Sequence, residues 1–131
     1  MKLSDCLAKI IQEENIECVF GLQGGAVVHL FDSLENNGTE VLYLHHEQAV
    51  GLAAASYAKV NNTLGCAIVT SGPASTNAIT GVLAAWQDSV PCIFISGQAR
   101  SDQLSYGKKV RQLGVQEVNI VDIVKPITKF A

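Results

Sequence analysis

The chain has 131 residues, 48% of them apolar and 16% charged, with a formal net charge of −3. That length suits one domain with a real core. It excludes the basic face of a nucleic-acid binder, since no cationic cluster exceeds Lys108-Lys109 with Arg111. Charge this sparse implies either a small-residue-rich core or an apolar face that meets another domain or subunit. Cys66 to Ala85 is uncharged, but Thr, Ser, Gly, Pro and Asn interrupt it, so no membrane partner is expected. Charges reach the N-terminus too early for a signal-peptide core, and the expected compartment is the cytoplasm. Cys6, Cys18, Cys66 and Cys92 form no C-x-x-C pair; they read as buried reduced thiols, and no metal site is expected.

Leu3, Leu7, Ile10 and Ile11 recur at helical spacing up to Asn15, and Glu17 to Gly21 reads as a strand running into glycine. A second helical pattern opens at Gly24-Gly25, passes through Val27, Leu30, Phe31 and Leu34, and stops at Asn36-Asn37-Gly38. Glu40 to Leu44 is a second strand, and His46 to Lys59 a third helix. Leu64 to Thr70 is the third strand; Pro73 then suits the first turn of a helix running to about Trp86. Val90 to Ser96 is the fourth strand, and a short helix falls at Ile120 to Val124, before Pro126. Apolar strands alternating with helices predict an α/β domain, a parallel sheet flanked by helices on both faces, over residues 1–131. Ligands of such sheets sit beyond the carboxyl ends of the strands. The loops at Gly21–Gly25, His45–Glu47, Thr70–Pro73 and Ser96–Gln98 are therefore where chemistry is sought.

Glu47 begins a helix with no charge before Lys59. One reading is a first-turn glutamate that complements the helix dipole. The other starts from the even apolarity of this helix, which predicts burial all round. Its leading carboxylate is then partly desolvated, as functional carboxylates often are. The glycine loop fits neither G-x-G-x-x-G nor the P-loop, so a tight strand-to-helix turn competes with a phosphate cradle there. Ser71 lacks a nucleophile elbow and is expected to cap the next helix. Asn77 and Gln98 are expected to satisfy loop backbone, with a ligand-facing position as the alternative for Gln98 at its strand end, and Asp88-Ser89 to form a turn.

Taken together, His45-His46-Glu47-Gln48-Ala49, Val69-Thr70-Ser71-Gly72-Pro73 with Thr76-Asn77, Asp88-Ser89-Val90-Pro91 and Ser96-Gly97-Gln98 resemble the N-terminal, pyrimidine-binding domain of thiamine diphosphate enzymes of the acetolactate synthase type. Phe20-Gly21, Gly24-Gly25-Ala26 and Lys125–Lys129 fit the same pattern, so the resemblance spans essentially the whole chain. It implies thiamine diphosphate as cofactor and decarboxylation or carboligation of a 2-oxoacid. Glu47 would hydrogen-bond a ring nitrogen of the aminopyrimidine and favour its imino tautomer, which deprotonates the thiazolium carbon. It further implies that Gly24 and Gly25 lie near the reacting centre, that Pro73 and Asn77 flank the aminopyrimidine, and that Gln116 faces the substrate. The implied partners are a homo-oligomer or a subunit carrying a diphosphate-binding domain.

That domain would hold the diphosphate and Mg2+ through Gly-Asp-Gly and a later Asn-Asn, a pattern missing here. The expectation is a C-terminally incomplete piece, or one subunit of a split enzyme, inactive alone. Leu22-Gln23 replaces the usual Tyr-Pro, Val115-Gln116-Glu117 replaces Phe-Gln-Glu, and Ala74-Ser75 replaces Gly-Ala. The first two departures touch the substrate side and leave the 2-oxoacid and its acceptor open. Rival readings are a non-catalytic binding or regulatory module that keeps the fold, and an unrelated phosphate-binding α/β domain.

Overall fold

The computed structural model describes residues 2–131. Four parallel strands, β1 (Cys18–Gly21), β2 (Glu40–Tyr43), β3 (Gly65–Val69) and β4 (Cys92–Ser96), form one sheet in the order β2-β1-β3-β4. The register pairs Phe20 with both Leu42 and Ala67, and Ala67 with Phe94. Helices cover both faces, as predicted. Successive residues of a strand point to opposite faces, and the two cores follow that alternation. Val19, Cys66 and Ile68 meet α1 (Leu3–Glu13) and α2 (Val28–Asn36) through Ala8, Ile11, Leu30, Phe31 and Leu34. Cys18, Phe20, Ala67 and Val69 face the other way, against Val50 and Ala54 of α3 (Glu47–Asn61) and Ala78.

The predicted helix from Pro73 to Trp86 is two helices, α4 (Pro73–Asn77) and α5 (Ile79–Gln87), divided at Ala78. Hydrogen bonds of the tighter i→i−3 kind interrupt the ladder there: Ala78 N donates to the Ser75 carbonyl at 3.2 Å and Gly81 N to that of Ala78 at 2.9 Å. The second helix also starts later than expected, at Val28. The paired glycines are spent on a turn closed by Val27 N to the Gly24 carbonyl at 3.0 Å. Helix α3 is not buried all round: Val50, Gly51, Ala54, Ala55 and Ala58 are covered, while Gln48, Leu52, Ser56 and Val60 are exposed. Its outer face is apolar or small without being covered, which an even distribution of apolar residues does not distinguish from burial. Among the thiols, Cys18 and Cys66 are buried as expected, but Cys6 and Cys92 are only half-buried; all four are free. Burial pushes the Cys66 thiol up to about 12.

The sparse charge shows in two places. The core uses small residues, and an apolar groove runs along half-exposed β4, lined by Val82, Trp86, Phe94, Ile120, Val124 and Ile127. The short helix is α6 (Ile120–Val124), as predicted; single turns of 3-10 helix at Ser101–Gln103 and Lys125–Ile127 were not foreseen. No helix among the described residues is long and apolar enough to cross a membrane.

Helices α3 and α5 touch backbone to backbone at two glycines. A Cβ on Gly81 would lie 2.6 Å from the Cα and carbonyl carbon of Gly51, whereas one on Gly51 would sit 3.1 Å from the Gly81 Cα. Alanine favours a helix by about 1 kcal/mol over glycine, but overpacking backbone against backbone costs about 1–3 kcal/mol. Gly81→Ala is therefore expected to lower the urea midpoint, Gly51→Ala to do so less, and Gly25→Ala, where a Cβ meets nothing within 4 Å, least of all.

Candidate active site

The loops named from the sequence do gather at the carboxyl edge of the sheet, drawn together by close contacts rather than by long side chains. The Gly24 α-carbon lies against Thr70, whose Cβ a methyl at Gly24 would meet at 2.5 Å. Gly97 sits against Ala26 and the Ser71 backbone nitrogen, which its Cβ would approach to 2.6 and 3.3 Å. Gly72, at φ +69°, faces the Gln116 carbonyl oxygen, 2.5 Å from where a Cβ would be. Any L side chain is disfavoured at Gly72 twice over, by backbone and by space. Gly25 by contrast is open, so nothing around it requires a glycine.

Glu47 opens α3 and is half-buried. His46 precedes it as the N-cap, its Nδ1 accepting from Gln48 N at 3.1 Å. This is an ordinary capping bond by an unusual residue, and it fixes the helix start at Glu47. Asn77, the last residue of α4, donates from Nδ2 to Glu47 Oε2 at 3.0 Å. The sequence reading assigned Asn77 to loop backbone; the amide instead spans two helices to a carboxylate. The reason is spacing. Glu47 lies one turn before Gly51 in α3, and Asn77 ends the helix that leads into α5 four residues before Gly81, so the glycine contact brings the two side chains near one another. Among the described residues Oε1 of Glu47 has no hydrogen-bond partner. One oxygen is held in place and the other is available.

Ser71 does not cap α4. Gly72 occupies that position, with no side-chain bond, and Ser71 is buried. The structural work falls on Ser75, whose Oγ donates to the Thr70 carbonyl at 2.8 Å and lies 2.5 Å from Ser96 Oγ. The buried Ser75, with half-buried Ser96, fastens α4, and with it Asn77, to the ends of β3 and β4. A serine following Pro-Ala after a strand was its only signal in the sequence, and nothing there revealed its partner. Gln98 does satisfy backbone, as expected: Nε2 donates to the Val118 carbonyl at 2.6 Å and Oε1 accepts from Ala99 N at 2.9 Å. Asp88-Ser89 forms the expected turn, with Ser89 at φ +55° and Asp88 paired to Lys59 at 2.8 Å.

Gln116 lies in the loop between β4 and α6. Its backbone is left-handed, at φ +54°, and packs on Gly72, next to Pro73. Gln116 thus reaches the same edge as Glu47 and Asn77, through Gly72 and Pro73 and from the far end of the sequence. No group of three His, Cys, Asp or Glu residues able to hold a metal occurs among the described residues.

A parallel sheet with a carboxylate and a carboxamide paired at its carboxyl edge has relatives of known class. Residues 1–123 match the family of the thiamine pyrophosphate enzyme, N-terminal TPP binding domain, and the chain belongs to that family. It is 38% identical over 129 residues to the acetolactate synthase large subunit of Haemophilus influenzae, a match covering 98% of this chain and 22% of that protein. It is also 38% identical to the large subunit from Lactococcus lactis, covering 97% of this chain and 21% of that protein. To isozyme 3 of Escherichia coli it is 33% identical, covering 98% and 21%. The chain therefore spans about a fifth of the length of these relatives.

The Glu47–Asn77 contact has a direct test. Asn77→Asp would replace that bond by two like charges at about the present separation, and is expected to lower the urea midpoint at neutral pH more than Asn77→Ala, which removes the bond without adding a charge.

Proposed function

We propose that residues 1–131 form the pyrimidine-binding domain of a thiamine diphosphate-dependent enzyme, acetolactate synthase-like, that decarboxylates a 2-oxoacid or joins its aldehyde unit to an acceptor. In this reading Glu47 is the cofactor-activating carboxylate. The observation that carries it is the Asn77–Glu47 hydrogen bond of 3.0 Å, which leaves the second carboxylate oxygen free at the sheet's carboxyl edge. The residues suit an aminopyrimidine. A half-buried carboxyl group offers a proton to a ring nitrogen, and the exposed ring of Pro73 at the start of α4 offers an apolar surface at the same edge. Gly24, drawn in against Thr70, and the open Gly25 keep the neighbouring space free of side chains.

Bound thiamine diphosphate supplies the carbon nucleophile and the electron sink for the 2-oxoacid. The contribution of this chain is to hold a proton at Glu47 Oε1 and to orient that carboxyl through Asn77. Because Oε2 is already engaged, the carboxyl plane is fixed before any ligand arrives, so no reorientation is needed at the reacting moment. Gln116 stands on the substrate side, behind Pro73. The diphosphate and Mg2+ are held by a separate domain or a partner subunit, in keeping with relatives about five times as long.

The test combines the chain with a segment or partner carrying the diphosphate site, thiamine diphosphate, Mg2+ and pyruvate. Glu47→Gln is expected to lower the decarboxylation rate by about 10²–10⁴-fold, the usual contribution of a positioned acid–base group. Undiminished turnover in that variant would remove Glu47 from the role assigned to it.

A further inference from the structure

Between β4 and α6 there is no strand and only one short helical turn, yet residues 104–118 are folded around a single carboxylate. Glu117 Oε1 accepts from Ser105 N at 2.6 Å and from Ser105 Oγ at 2.7 Å. Its Oε2 accepts from Leu113 N at 2.8 Å and Gly114 N at 3.3 Å. These donors are neutral, and Glu117 takes part in no ion pair among the described residues. The Ser105 amide, then the Leu113 amide and the Ser105 hydroxyl, hold its carboxyl down at about 2. Hydrogen bonds of this kind, to an ionised acceptor, are the stronger class.

The folded loop is then seated on the scaffold at separate points. The Val118 carbonyl accepts from Gln98 at 2.6 Å. Gly114 is buried, and a Cβ there would lie 3.0 Å from the Gln103 carbonyl oxygen. Gln116 packs on Gly72. Residue 116 sits at φ +54°, a backbone that non-glycine residues keep only when their surroundings over-determine it. Gly72 packs against it, and the Glu117 amide closes the turn around it by donating to the Gly114 carbonyl at 3.3 Å.

We propose that Glu117 is a positioning residue for the site: its carboxylate clamps residues 104–118 into a fixed wall and so holds Gln116 beside Gly72 and Pro73, where Gln116 meets the 2-oxoacid. The proposal rests on the functional reading given above for Glu47 and Gln116. It explains why an acid, and not its amide, stands at 117. A glutamine's nitrogen cannot accept, so either the Ser105 pair or the Leu113 and Gly114 amides would lose their acceptor.

Two measurements test it, on independent readouts. Trypsin cuts after Lys108, Lys109 and Arg111, all exposed and all inside the clamped loop. In the 131-residue chain, Glu117→Gln is expected to speed cleavage there by on the order of tenfold or more, with Glu117→Asp, which keeps both oxygens, falling between it and the wild type. In the assembly that carries the diphosphate site, Glu117→Gln is expected to raise KM for pyruvate about tenfold, while the affinity for thiamine diphosphate stays at the wild-type value. Cleavage at the wild-type rate in Glu117→Gln overturns the clamp. Faster cleavage with an unchanged KM, or an equal loss of cofactor affinity, overturns the positioning of Gln116. A wild-type assembly that shows no thiamine diphosphate-dependent turnover overturns the functional reading and the positioning with it. The proteolysis result distinguishes that failure from a failure of the clamp.

Discussion

Two α-carbons in contact, those of Gly51 and Gly81, govern the geometry of the site. They let α3 and α5 approach until backbone meets backbone, closer than the usual helix pair, whose spacing is set by the side chains between them. The Glu47–Asn77 hydrogen bond lies next to that contact, four residues before each glycine. Glu47 and Asn77 are both short enough that an additional ångström between the helices would separate them. A second close approach steadies the first: a Cβ on Gly65 of β3 would meet the Ala54 carbonyl oxygen of α3, so the helix is pressed onto the sheet as well as onto its neighbour.

The other side of the site is built on a different principle. Gln116 comes from a segment without regular structure, and its place depends on polar contacts: the Glu117 carboxylate within the loop, and Gln98 between loop and strand. Ser75 and Ser96 tie the two constructions together where β3 and β4 end. Packing sets the carboxylate and hydrogen bonding sets the wall.

The layers of this fold were legible in the sequence because they follow from periodicity. Near-continuous apolar strands alternating with helical patterns leave little besides a parallel sheet covered on both faces. The place of Glu47 at the head of an uncharged helix on the carboxyl edge was legible, but the burial all round that this apolar helix predicted is not what the structure shows. Pairwise facts were not legible. Asn77 in the sequence is a polar residue among apolar ones, and only the crossing of α3 and α5 gives it a carboxylate to bind. Ser71 looked like a cap because it stands just ahead of the predicted helix, but Gly72 with its positive φ takes that position and the buried Ser75 makes the bonds. The break at Ala78 was invisible for a similar reason. Asn77, Thr80 and Gly81 weaken a helix without marking where it divides, and it is the pattern of backbone bonding that changes at Ala78. Glu117, in an aperiodic stretch, carried only the signal of a family motif, although it organises more backbone than any other side chain at this edge.

The open edge of β4 has a consequence of another kind. A parallel strand of alternating Ile and Phe, half-exposed over its whole length, presents unpaired backbone groups and an apolar surface together, the combination by which strands recruit other strands. Cys92 to Ser96 contains no charge and no proline to discourage such pairing. At high concentration the chain would then associate through this edge, on the side of the sheet opposite β2. What covers this edge therefore matters more than recharging it, because Phe94 and Ile95 also pack against the two cores, where a charge would be buried unpaired.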